Sequence, residues 1–148
     1  MGFKFSLETV LRHRKRLEDE AQRAFSEARQ KLEDAKRHLE FLYSQVDRSR
    51  EEIASLQNSG EAHSVSSILE REAFIRGQAL RIKNHREAMR SLQQDLEEKQ
   101  EALVLALRER KTLEKLKEKK KREYDMEVAR KEALFLDEIA TMRAGGRR

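Results

Sequence analysis

Apolar residues recur at intervals of seven along most of this chain, and that spacing constrains its fold more than any other feature. Leu11, Phe25, Leu32, Leu39, Val46 and Ile53 form one row. Leu7, Ala21, Ala28, Ala35, Leu42 and Leu56 form a second, and the two rows are broken only at Arg14, Glu18 and Ser49. Such a repeat lays a narrow apolar seam along one side of a helix, where a second helix can cover it. Farther on, Ile68, Ile75, Ile82, Met89, Leu96 and Leu103 keep strict sevens, with Ala79, Leu92, Ala106 and Leu107 as intermittent partners. With 41% charged, 37% hydrophobic and 5% aromatic residues and no Pro, the 148-residue chain lacks the makings of a broad core. Disorder is excluded by the regular spacing of the apolar residues, so the composition reads as long helix.

The breaks in this pattern set the element boundaries. A first helix is expected over about 7–56, with Ser6 as N-cap, Glu8 in the first turn and Phe5 stapled to Val10. The opening "MGFKFS" also fits the pattern for myristoylation at Gly2, but the cap explains Ser6 better. Small and turn-forming residues cluster in 57–66, where Gly60 is the natural point of reversal. A second helix is expected over about 67–142, opened by a capping box of Ser67 and Glu70 and ended by Gly145 and Gly146. Gly77 falls inside it at a cost of about 1 kcal/mol against Ala.

Two heptad helices joined by a short turn most simply fold back on each other, each burying its seam. The expectation is therefore an all-α, two-helix antiparallel coiled-coil hairpin, a single coiled-coil domain over 1–148. With the turn centred near Ala62, residue i faces residue 124 − i and Phe5 lies near Lys119. Everything past about Lys120 then overhangs at the C-terminus, a paired length of about 75 Å followed by about 30 Å of unpaired helix.

That register brings "RHRKR" (12–16) beside "RERKTLEKLKEKKKR" (108–122), whereas the net charge of the whole chain is only +5. The basic collar so formed comprises Arg12, Arg14, Lys15, Arg16, Lys117, Lys119, Lys120, Lys121 and Arg122. It calls for an acidic partner, which could be a protein rim, a membrane face or nucleic acid. Nucleic acid fits less well, because Glu109, Glu114, Glu118 and Glu123 interrupt the run and only Tyr124 could stack on a base. No stretch reaches the roughly 18 apolar residues of a membrane span, and the basic N-terminal region does not resemble a signal peptide.

Catalytic chemistry is not expected. His13, His38, His63 and His85 are scattered, Cys is absent, and Gly60 and Gly77 lack the strand-to-helix context of a phosphate loop. No cofactor, metal or small-molecule substrate is implied, and a two-helix hairpin offers no pocket for shifting the pKa of a carboxylate. The expectation is a non-enzymatic protein.

The opening "FKFSLETVLRHRKRLEDEAQRAF" resembles the start of the flagellar export protein FliJ family, which pairs aromatics with a Leu-Glu-x-Val-Leu run, a basic cluster and Glu-x-x-Ala-Gln. "FIRGQALRIKNH", 74–85, is similar to that family's Phe-Ile segment followed by Ile-x-x-His. The resemblance implies a cytoplasmic component of the flagellar type III export apparatus, peripherally associated with the inner membrane at the flagellar base. It implies a likeness to the central stalk of rotary ATP synthases, stimulation of the hexameric export ATPase, and contact with the export gate protein FlhA and with export chaperones. A heptad seam by itself selects no partner, so a generic coiled-coil adaptor and a stalk subunit of another rotary ATPase stay open.

Two binding surfaces are expected. Phe74, Gln78, Arg81 and His85 form a stripe one residue away from Ile75, Ala79 and Ile82, which should leave it exposed on the flank of the second helix. The resemblance assigns gate binding to this stripe; Phe74 and His85 match the family, and Gln78 and Arg81 depart from its more apolar middle. The second surface is the overhang, where Tyr124, Val128, Phe135, Ile139 and Met142 line one helix face with no mate in the hairpin, flanked by Leu134 and Leu136. A lone helix is marginal in water, so this face needs a partner, and a single helix about 10 to 12 Å wide fits the channel of a hexameric ring.

Overall fold

The computed structural model describes residues 2–60 and 64–146. Among them are two helices and no strand: α1, Glu8–Ser59, and α2, Ser64–Gly146. They form a helical hairpin whose second helix is the longer.

The helix ends differ from expectation in instructive ways. The first α-type bond runs from the Leu11 N–H to the Leu7 carbonyl at 2.9 Å, and the Glu8 N–H donates to the Phe5 carbonyl at 3.2 Å. This extra turn moves the cap position to Leu7 and leaves Ser6 ahead of it, and Val10 is exposed instead of stapled. At the other end, Gly60 adopts φ +66°, the left-handed conformation that closes a helix at little cost without a Cβ. The Ser59 hydroxyl donates to the Leu56 carbonyl at 2.8 Å and lies 3.0 Å from the Ser64 hydroxyl. Its proton is committed to Leu56, so Ser64 is the donor between the two. α2 thus begins before Ser67, whose carbonyl already accepts from the Arg71 guanidinium at 3.2 Å. The expected turn centre, Ala62, lies with Glu61 and His63 outside the described residues. α2 runs past Met142 through Gly145 to Gly146, the last of the described residues, since Gly weakens a helix without removing its hydrogen bonds.

The chain comprises two compact units, Ala21–Ala102, and Met1–Glu20 with Leu103–Arg148. In the first, both heptad rows of α1 turn inward: Ala28, Ala35 and Leu42 from one, Leu32 and Val46 from the other, all buried. Leu42 and Val46 form a cluster with Ile82 of α2, and Leu39 and Ile75 pack against it. The antiparallel register is fixed by Glu52 with Arg71, Gln45 with Gln78 and His38 with His85, each within one position of the 124 − i register. In the second unit Leu11 is the most deeply buried apolar residue, and Glu8 pairs with Lys117 in a similar register.

On α2, the row Ile75, Ile82, Met89, Leu96 faces the seam as its sevens demand. Of its intermittent partners, Leu92, Ala106 and Leu107 are half-buried, but Ala79 is exposed, and the inward positions beside Ile75 and Ile82 are Gln78 and His85.

Candidate interaction surfaces

Within Ala21–Ala102, the stripe expected to be exposed divides between surface and interior. Phe74 is 39% exposed and Arg81 is exposed as well, but Gln78 is only 1% exposed. The Gln78 amide donates to Gln45 Oε1 at 2.6 Å, and its own carbonyl oxygen accepts from Arg81 at 3.1 Å. Burying an amide is costly unless both ends are bonded, and here both are. His85 is half-buried: its Nε2–H donates to the Ala35 carbonyl at 2.6 Å, and its ring stands edge-on to His38 with centroids 4.9 Å apart. A carbonyl can only accept, so the bond fixes the proton on Nε2. The four-residue exposed stripe is therefore overturned at Gln78 and reduced at His85. The expected register faces Gln45 with Ala79, one residue away from Gln78, so the pair is found only after a shift of one position, when the amide N–H of one glutamine meets the carbonyl oxygen of the other. Reading the sequence for heptads alone also missed an outward apolar set on α2, where Val65, Leu69 and Leu80 are exposed.

In the second unit, breaks in one heptad row answer breaks in the other. Arg110 and Lys117 continue the strict sevens beyond Leu103, just where α1 substitutes Glu18 for an apolar residue. Arg110 donates to Glu18 and, at 2.6 Å, to Glu114. These two bonds, Glu18 first, raise its pKa further. Lys117 bonds Glu8 at 2.9 Å and holds that carboxylate below the usual range. Arg14 meets Glu109 at 2.5 Å and Lys15 meets Glu114 at 3.9 Å, while Lys120 and Lys121 pair along their own helix with Glu123 and Asp125. Of the expected collar, Arg12, Arg16, Lys119 and Arg122 have no ion-pair partner among the described residues.

The apolar face that follows begins later than expected. Tyr124 is not part of a free overhang: its ring lies 5.7 Å from that of Phe3, which Lys121 also covers at 5.7 Å. Phe3 precedes α1, outside any helix. Past it, Val128 and Ile139 are half-buried, whereas Phe135 and Met142 are 62% and 76% exposed and Leu134 and Leu136 are exposed beside them. The hydrogen bonds and ion pairs of 125–146 among the described residues are local to α2. What this unit offers is an apolar helix face next to unneutralised cations.

Among the described residues, no three His, Cys, Asp or Glu side chains are grouped to hold a metal ion, and no helix is long and apolar enough to cross a membrane. Residues 3–148 match a protein-family model whose description is "Flagellar FliJ protein". No curated protein and no solved structure matches the chain.

Proposed function

The chain belongs to the flagellar FliJ family, a family of flagellar export proteins, and from that premise we propose that it acts as a non-enzymatic, stalk-like regulator of the hexameric export ATPase. The observation that carries this reading is the apolar face Val128, Phe135, Ile139 and Met142, which leaves large side chains exposed on a helix narrow enough for a ring's channel. Apolar surface of this kind is covered in use, and a channel covers it on all sides. Arg12 and Arg16, without ion partners, supply charge that steers the helix to an acidic rim. The test is co-purification with the organism's export ATPase and measurement of its turnover with and without this protein. Absence of both binding and stimulation would overturn the reading.

The same protein would work at the cytoplasmic side of the inner membrane, linking the ATPase to FlhA and to export chaperones. For the gate contact, the accessible residues are Phe74 and Arg81, with His85 offering only its outer edge. Phe74→Ala combined with Arg81→Ala should weaken binding of the FlhA cytoplasmic domain by about tenfold or more, the usual loss when an aromatic anchor and its flanking Arg are truncated. Gln78→Ala should instead lower the melting temperature, because it leaves Gln45 unpaired. Titration of each variant with the FlhA domain checks the first outcome, and unchanged affinity of the double variant would refute the assignment.

A further inference from the structure

Apart from Lys120 and Lys121, which pair along α2 with Glu123 and Asp125, the basic run of α2 is two sets of cations. Arg110 and Lys117 turn to the seam and are neutralised across it by Glu18 and Glu8. Arg108, Lys111, Lys115, Lys119 and Arg122 follow spacings of three, four, four and three, the interval that keeps side chains on one helix face. All five are exposed, and none of their side chains has an ion-pair or hydrogen-bond partner among the described residues. The nearest hydroxyl, that of Thr112, is occupied by donation to the Arg108 carbonyl at 2.9 Å. The stripe is about 21 Å long.

The face does not stop at its cations. Val104 precedes them on the same line, and beyond Arg122 the same three-and-four spacing continues through Met126, Ala129, Ala133, Leu136 and Ala140, all exposed. Met126 is 72% exposed. One side of α2 thus carries a cationic stretch and then an apolar one, and this side is distinct from the Val128, Phe135 and Ile139 face.

We propose that this side of α2 is a docking surface for an anionic lipid bilayer. A folded protein partner would need an apolar centre to its interface, and the five cations occupy that centre. Nucleic acid would leave the Met126 to Ala140 line without a counterpart, and the stripe lacks the amide and hydroxyl side chains that supplement cations at phosphates. A bilayer supplies both parts, negative headgroups for the stripe and an apolar boundary beneath them for Met126 and Leu136. The surface stands apart from ring docking, which uses the other face of the helix.

Flotation with phosphatidylcholine vesicles, with and without phosphatidylglycerol, tests the assignment on the full chain. The protein should float with the phosphatidylglycerol vesicles only, and less so as salt is raised. Replacing Arg108, Lys111, Lys115, Lys119 and Arg122 by Gln should weaken binding about a hundredfold or more, since each such cation contributes on the order of 1 kcal/mol near an anionic surface. A charge-matched variant with Gln at Arg23, Arg37, Arg76, Lys83 and Arg90 should keep most of the affinity, and circular dichroism verifies that both fold. Equal binding by the stripe variant and the wild type would overturn the proposal. So would wild-type binding to duplex DNA or polyglutamate but not to vesicles. Stimulation of the ATPase in lipid-free solution separates the two readings: its loss in the stripe variant with vesicle binding intact would assign the stripe to the ring.

Discussion

Deleting residues 125–148 is expected to abolish stimulation of the export ATPase and to leave the rest of the protein folded. The cut falls just past Tyr124, so it keeps the Phe3–Tyr124 contact and the Glu18–Arg110 and Glu8–Lys117 pairs. What it removes is a segment whose polar contacts, among the described residues, run along its own helix and whose Phe135 and Met142 face solvent. Loss of such a segment should cost the remaining fold little, because none of its described residues belongs to the buried core. Its effect on a ring that grips this face should be large, since a few buried aromatic and aliphatic anchors carry most of an interface's energy. The measurement is ATPase turnover against added protein, alongside far-ultraviolet circular dichroism and FlhA binding. Full stimulation by the truncated chain would show that the segment is not the stalk, and a collapse of helicity would show that its role is in folding. Phe135→Asp offers a milder version, with stimulation reduced by about tenfold or more.

The second large effect is on stability, and it discriminates between two rows of the same helix. Ile82→Ala should cost about 2 to 3 kcal/mol, the lower part of the range for emptying a buried aliphatic site, because a two-helix seam lies close to water and can relax into the void. Ala79→Leu, only three residues away, should change stability by less than about 0.5 kcal/mol, because residue 79 faces solvent. Urea unfolding followed at a helical wavelength gives both values, and the midpoint of Ile82→Ala should fall markedly while that of Ala79→Leu stays put. The opposite ranking would mean that α2 is rotated by about one residue from the arrangement described, with Ala79 in the seam and Gln78 out of it.

The chain by itself determined a great deal. Sevenfold spacing is a local property, and it dictates helix, seam and hairpin wherever both rows are apolar, as they are through Ala28, Leu32, Ala35, Leu42 and Val46. The reversal at Gly60 was equally legible, because a left-handed backbone strongly favours a residue without a Cβ. What only the tertiary structure decided lies where a row is not apolar. By hydrophobicity Ala79 outranks Gln78, yet Gln78 is inside, because Gln45 on the other helix and Arg81 on its own complete the hydrogen bonds that make burial tolerable. The same holds for charge. One run of basic residues in the sequence became neutralised seam cations and an unpaired outward stripe, according to which of them met Glu8 and Glu18 across the hairpin. Tyr124 likewise left the expected free face, because the ring of Phe3, ahead of α1, lies against it. Periodicity says which side of a helix is greasy, but the partner of a polar side chain lies on the other helix, 33 positions away for Gln78 and 92 for Arg110, and only folding brings it there.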